Sequence, residues 1–449
     1  MTGPNRGSLR RIVIVGASLA GLRTAESLRA NGFTGELVLI GDEPHEPYDR
    51  PPLSKAVLSG WIGTDRVQLP RSRDLNARWL PGVAATGLNL PDHCVHLADG
   101  RAVRFDALVI ATGCRARPWP VADEAALGGV HVLRGRDDAD RLRADLTAGP
   151  FRVLVIGGGF TGSEVASNCR DLGIPVTVTH RGTAPLAGAL GGTVGAVIGA
   201  RQRAHRVDLR LGTTVSALEG GTDGRLRRAR LSNGDDVEAE VAVVATGSVR
   251  NTEWLTGSGL GADTGGVDCD TACRAVDTGG AVVPGVYVAG DVARSRHPLF
   301  DSGPQSLEHW ANAVDQAEVV AHNLTRSPSD LRHTAALPAF WSDQFGMNIK
   351  SVGLPQLADE VALTQGSFTS GPFVAAYGRD GITVGAVAVD SPRVMDGYAA
   401  LVTERAAFPP VINATDSPGG SSVLGAGFLG PALSRSLSDI AALGHGGRP

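Results

Sequence analysis

One structural plan is written twice in this chain, and that repeat constrains the fold more than any other feature. RIVIVGASLAGLRTAESLRANGFTGELVLIGDE, from Arg11 to Glu43, reads as strand, tight glycine turn, amphipathic helix and second strand. FRVLVIGGGFTGSEVASNCRDLGIPVTVTHRG, from Phe151 to Gly182, reads the same way. Each copy is followed by two alternating strands around a turn dipeptide, Asp99-Gly100 or Asn233-Gly234. An apolar strand then ends in Ala111-Thr112-Gly113 or in Ala245-Thr246-Gly247. The expected fold class is α/β, with two nested Rossmann-like dinucleotide-binding domains.

The rest of the chain fills in around this repeat. A third apolar strand, GVYVAGD, runs to Asp291 and precedes a helix expected from Ser306 to Asn323. Beyond Ser327-Pro328, short strands with turns such as FVAAYGRDGITVGAVAV predict a separate α+β domain to about Phe408. From Pro409 onward Gly, Ser, Ala and Pro dominate, the composition of a mobile tail, with a short helix open to VLGAGFLGPALSRSLSDIAAL. The 449 residues allow two to four domains. A net charge of −4 gives no general attraction to nucleic acid or anionic membrane. Arg225, Arg227, Arg228 and Arg230 read as solvated loop charge. The apolar run near the N-terminus is too short and glycine-rich for a membrane span or signal peptide, so a cytoplasmic location is expected. Five irregularly spaced cysteines are no disulfide framework. Cys269 and Cys273 lack the matching Cys/His pair of a metal site, and no metal is expected.

The glycine turns carry chemistry. In the first, Gly16 makes the turn, Gly21 lets helix pack on strand, and Ser18 replaces the usual middle glycine; the helix N-terminus would face a pyrophosphate. Asp42 stands about 20 residues past the last glycine, where an acid holds a ribose hydroxyl. The second turn is complete, with Gly157, Gly159 and Gly162. At its matching strand end stands His180, followed by Arg181, in place of the carboxylate that would repel a 2′-phosphate. NADPH is therefore the favoured donor and NADH the alternative. EPYDRPPLSK raises a further question, because the chain has only two lysines, Lys55 and Lys350. From the residues alone, Lys55 is either a placed point charge or a solvated loop cation.

GASLAG, PYDRPPLSK, ATG, LRGRDDA, GGGFTGSE, a second ATG, VYVAGDVA, EHWANAVDQ and FWSDQFG follow one another in this order. From about Arg11 to Phe408 the chain thereby resembles FAD-dependent NAD(P)H:ferredoxin reductases of the putidaredoxin-reductase and biphenyl-dioxygenase-reductase type. The resemblance implies a glutathione-reductase-like arrangement: an FAD domain from 1–117 and 246–328, an NAD(P) domain from 118–245, a C-terminal α+β domain from 329–408 and a flexible tail from 409–449. It implies FAD contacts by Asp42, Arg50, Lys55, Ala85, Ala111, Thr112, Gly113, Arg134, Gly247, Gly290, Asp291, His309 and Trp310. It pairs Lys55 with Glu164 beside the flavin and puts Trp341 near the face where electrons leave. His309, Arg294, Arg296 and His297 would lie near that exit, where the basic trio either meets an acidic iron–sulfur protein or is surface charge.

The implied activity is hydride transfer from NAD(P)H to FAD, then single-electron transfer to a 2Fe-2S ferredoxin serving a cytochrome P-450 or Rieske oxygenase. The enzyme would be a monomer or homodimer. No cysteine follows PPLSK, so disulfide-reductase chemistry is not expected. An alternative is a flavin oxidoreductase acting directly on a small molecule. Another class is a redox-sensing interaction protein resembling apoptosis-inducing factor, which would want a basic nucleic-acid surface. Two departures stand out. Gln305-Ser306-Leu307 precede Glu308 where an arginine is often found, and the second ATG continues as Ser-Val-Arg-Asn.

Overall fold

The computed structural model describes residues 9–410, which form two compact units. One comprises residues 9–336 with Asp343–Gly346; the other comprises Leu337–Ser342 with residues 347–410. The first unit is built on two sheets with parallel cores. In the six-stranded sheet Arg11–Val15 pairs in parallel with Glu36–Ile40 on one side and Ala107–Ile110 on the other, and Val282–Val288 lies beyond Ala107–Ile110. In the five-stranded sheet Val153–Ile156 sits between Val176–His180 and Val241–Val244 in the same way.

These strands read as unbroken apolar runs because both faces are covered. Ile12, Ile14, Leu37, Leu39 and Val109 point to one side and pack with Leu22, Ala25 and Leu28 of the helix Leu19–Ala30. Val13, Val15, Val38, Ile40, Leu108 and Ile110 point to the other and pack with Val95, Phe105 and Trp254.

The pairing of each glycine turn with an Ala-Thr-Gly end has a steric cause. Gly16 has φ +114°, and a Cβ there would lie 2.0 Å from the carbonyl oxygen of Ala111. Gly157 has φ +120°, and its Cβ would lie 2.2 Å from the carbonyl oxygen of Ala245. Each turn nests against the end of a neighbouring strand so closely that only glycine fits.

Three expectations are corrected. The helix Trp310–Thr325 begins four residues later than expected, because Gln305 pairs with Ser295 and the Ser306 hydroxyl donates to the Gly265 carbonyl, holding this stretch extended. Arg227, Arg228 and Arg230 lie on the strand Leu226–Leu231 rather than in a loop. Arg228 and Arg230 each pair with Glu219 and Asp236 from the flanking strands, a cross-strand ladder rather than loose charge. Arg294 is also committed, to Asp263 at 2.7 Å and Asp268 at 2.6 Å, while His297 donates to the Ala336 carbonyl and burial lowers its pKa. Of the basic trio expected at an electron exit, this leaves Arg296 as the exposed member.

The second unit is α+β. Its five-stranded sheet runs in the order Ala339–Gln344, Met347–Gly353, Ile382–Val389, Phe373–Arg379, Glu360–Gly366. Val374, Ala376, Ala386 and Ala388 form a core with Met395 and Tyr398 of the helix Met395–Thr403. The tail expected from Pro409 lies outside the described residues from position 411 onward. Among the described residues no helix is long and apolar enough to cross a membrane.

Candidate active site

Pro51 and Pro52 start a single 3-10 turn, Pro51–Ser54, which restricts the loop and presents Lys55 at its end. The Lys55 ammonium lies 2.9 Å from both carboxylate oxygens of Glu164. Glu164 belongs to Phe160–Asp171, the helix that the complete glycine turn opens. The Ser54 hydroxyl donates to the same carboxylate, and Asn168, one helical turn on, donates to the backbone carbonyls of Ser54 at 2.9 Å and Glu164 at 2.8 Å. The Lys55 side chain is 20% exposed and that of Glu164 5%. A pair this dry is strongly position-dependent, and losing one partner of such a pair typically costs about 3–5 kcal/mol.

The same loop is fixed from a second direction. The Trp310 indole donates to Asp49 at 3.0 Å. Burial raises the pKa of the Asp49 carboxyl, while that bond and the charge of Lys55 oppose the rise.

A second cluster gathers around Asp291. Arg134 pairs with Asp291 at 2.6 Å and donates from Nε to the Cys114 carbonyl at 3.3 Å. Arg50 donates to the Arg134 carbonyl and the Tyr48 hydroxyl, both at 3.0 Å, and pairs with Glu43. Gly290, with φ +80°, donates its N–H to Gln316 at 2.8 Å. His309 caps the start of Trp310–Thr325, where burial lowers its pKa and favours the neutral ring. Cys114, Asp291 and Glu308 bring ligand-type atoms within 4.8 Å of one another, but Arg134 and Arg250 already balance the two carboxylates. Burial, opposed by the Arg134 charge and aided by Asp291 and Glu308, pushes the Cys114 thiol up to about 12, so it stays protonated at neutral pH.

The residues fit two dinucleotides. Ser18 makes no side-chain cap bond, so its hydroxyl does not occupy the first N–H groups of Leu19–Ala30, which an anion could take. Asp42 is exposed just after the strand Glu36–Ile40, Ala85 begins the strand Ala85–Asn89, and Thr112 and Gly113 follow Ala107–Ile110. At the second turn, Gly162 packs against the Gly157 carbonyl while Gly159 has open space where a Cβ would stand. His180 and Arg181 divide: the His180 Nδ1 accepts the Gly158 N–H at 3.3 Å and Arg181 is exposed. Burial and the Arg181 charge lower the His180 pKa, so the ring can remain a neutral acceptor. Trp341 is half-buried on Ala339–Gln344 in the second unit.

Sequence reasoning missed Asp49, Ser54, Asn168 and Glu308 as parts of this site. Asn168 was accessible, since it stands four residues after Glu164 on a helix. The others act through partners remote in sequence. The disfavoured redox dithiol stays disfavoured: Cys269 and Cys273 are buried free thiols, and burial raises both pKa values.

Comparison with known proteins places this geometry among others. Residues 10–317 match the family described as Pyridine nucleotide-disulphide oxidoreductase, and residues 339–417 match Reductase C-terminal. The chain is 35% identical over 413 residues to the chlorobenzene dioxygenase, ferredoxin reductase component, of Cupriavidus sp. (strain PS12), covering 89% of this chain and 94% of that protein. It is 34% identical over 411 residues to rhodocoxin reductase of Rhodococcus erythropolis, covering 90% and 92%. The covalent putidaredoxin reductase–putidaredoxin complex matches with a TM-score of 0.82 at 32% identity, covering 88% of this chain and 93% of that one.

Proposed function

Since the chain belongs to the pyridine nucleotide-disulphide oxidoreductase family, we propose that it takes hydride from NAD(P)H onto bound FAD and passes electrons singly to a 2Fe-2S ferredoxin of a cytochrome P-450 or Rieske oxygenase system. The observation that carries this reading is the Lys55–Glu164 pair, which joins the PPLSK turn to the helix of the second dinucleotide turn. FAD, when bound, supplies a two-electron acceptor able to release its electrons one at a time. Lys55 contributes a preorganised positive charge where negative charge develops. Glu164, Ser54 and Asn168 fix where that charge stands. Arg134 offers a guanidinium to a pyrophosphate, and Asp42 and Asp291 offer acceptors to ribose and ribityl hydroxyls.

The proposal extends to the domains at 1–117 with 246–328, 118–245 and 329–408, to a role for Trp341 in electron exit, and to a cytoplasmic location. For the donor we favour NADPH, because Arg181 is exposed beside the second glycine turn and the strand end carries no carboxylate. The test is stopped-flow flavin reduction with NADPH and NADH, then cytochrome c reduction through an added 2Fe-2S ferredoxin. Fast flavin reduction with no ferredoxin-dependent step would move the assignment to a small-molecule acceptor.

A further inference from the structure

The chain leaves the six-stranded sheet after Ala107–Ile110, enters the five-stranded sheet, and returns after Val241–Val244. The outward and return passages pair as a short antiparallel ribbon, Cys114–Ala116 against Ser248–Arg250. A glycine with positive φ stands at each end of it: Gly113 (+62°) at the base of the outgoing strand and Gly247 (+105°) at the far end of the returning one. Neither has an atom within 4 Å of where a Cβ would be. Two glycines of positive φ bounding the ribbon that joins two sheets make a hinge, because glycine backbone adopts and leaves such φ values at low cost.

Glu308 grips one face of this ribbon. Ser248 and Arg250 are two apart on a strand and share a face, and Cys114 is the cross-strand partner of Arg250. Glu308 meets all three. Its Oε1 accepts from the Ser248 hydroxyl at 2.7 Å and pairs with Arg250 at 2.9 Å, and its Oε2 lies 3.6 Å from the Cys114 sulfur. Arg250 also donates to the Ser248 hydroxyl at 2.7 Å and is only 12% exposed. At the base, Thr112 and Asn251 clasp each other through two bonds of 2.8 Å, so the ribbon's root is held separately from its face. Glu308 stands two residues before Trp310, whose indole holds Asp49 in the loop that presents Lys55. The clamp also joins the two departures in the motif order, with the arginine of Ser-Val-Arg-Asn serving the glutamate that Gln-Ser-Leu precedes.

We propose that Glu308 is a positioning residue: by clamping Ser248 and Arg250 it fixes the ribbon's direction, and with it the approach of the nicotinamide-binding half to the flavin. This rests on the hydride-transfer reading above. A displacement of about 1 Å between reacting groups can cost about 10²-fold in rate, so a loosened hinge is read in the limiting rate of flavin reduction.

The test uses flavin-loaded Glu308→Ala, the gentler Glu308→Gln, Arg250→Met and the Glu308→Ala/Arg250→Met double variant. Amide hydrogen exchange should accelerate in peptides covering 112–117 and 247–252 while the helix Leu19–Ala30 is unchanged. The limiting rate of flavin reduction should fall about tenfold or more, with the nicotinamide dissociation constant and the flavin midpoint potential preserved. The double variant should be no worse than the poorer single one, as for two partners in one contact. Unchanged ribbon exchange would overturn the proposal. So would a rate loss that follows a shifted potential, which would make Glu308 a charge acting on the flavin. A wild-type flavin that neither nicotinamide reduces would defeat the parent reading, and the exchange measurement would still decide the clamp.

Discussion

Lys55 and Glu164 stand 109 positions apart and meet at 2.9 Å, so the loop after the first βαβ unit and the helix of the second close on one another through this ion pair and the Ser54 and Asn168 bonds beside it. The pair gives the arrangement its direction: a cation is held against the helix whose N-terminal turn would receive the NAD(P) pyrophosphate.

Lys55→Met removes the charge and keeps most of the stem. Flavin reduction should slow by about 10²-fold, the usual loss for one preorganised electrostatic contact, with FAD still bound. Stopped-flow reduction of the flavin-loaded variant measures this directly, and an unaltered rate would refute the role.

Arg181→Ala probes donor choice. The variant should lose roughly 1.5–3 kcal/mol in kcat/KM for NADPH, the range for hydrogen bonds to a charged group, and spare NADH. Equal losses with both donors would show that Arg181 does not read the 2′-phosphate.

Asp315 on Trp310–Thr325 makes stability depend on pH. Burial, with the Glu318 charge adding to it, outweighs the backbone bonds from Ala336 and Ala335 and pushes its carboxyl up to about 6, and its Oδ2 has no hydrogen-bond partner. The folded state thus holds this proton more tightly than the unfolded chain. The stabilisation is fully present below the ordinary carboxyl value of 3.8 and is lost as pH rises through about 6. Asp315→Asn removes the ionisation and should stabilise the fold at pH 7–8 by up to about 2–3 kcal/mol, seen as a higher melting temperature, with little gain near pH 4. Melting curves across that range that stay parallel to wild type would contradict it.

Gly16→Ala should prevent FAD retention and cost more than about 4 kcal/mol, because the new Cβ meets the Ala111 carbonyl and the backbone sits at φ +114°. Flavin content after purification and a denaturant midpoint both report it; a flavin-loaded variant of wild-type stability would contradict it.

The elements legible in the sequence were those whose cause is local. A glycine turn, a five-residue apolar strand and an Asn-Gly hairpin each announce themselves within a few positions, so both βαβ units, both hairpins and the Ala-Thr-Gly ends could be read. Lys55 stood out because lysine is so rare here. What escaped depends on partners far along the chain. Arg294 looked like surface charge because Asp263 and Asp268 lie 31 and 26 positions away, and Arg228 looked like loop charge because its acids sit on neighbouring strands. The same holds for Glu308, whose contacts to Ser248 and Cys114 span 60 and 194 positions.

The order of the strands also dictates an order of assembly. The five-stranded sheet draws every strand from residues 130–244, whereas Ala107–Ile110 waits for Val286–Val288, made long after the inserted sheet is complete. Closing that larger loop carries the greater entropic cost, so the inner sheet is expected to gain structure first and the outer one to remain open around it. Pulse-labelled hydrogen exchange during refolding should protect Val153–Ile156 before Ala107–Ile110; simultaneous protection would mean that both sheets condense as one unit. An unfinished chain that has just emerged with its inner sheet formed would still expose the apolar edge of Ala107–Ile110, the stretch on which a chaperone would be expected to act.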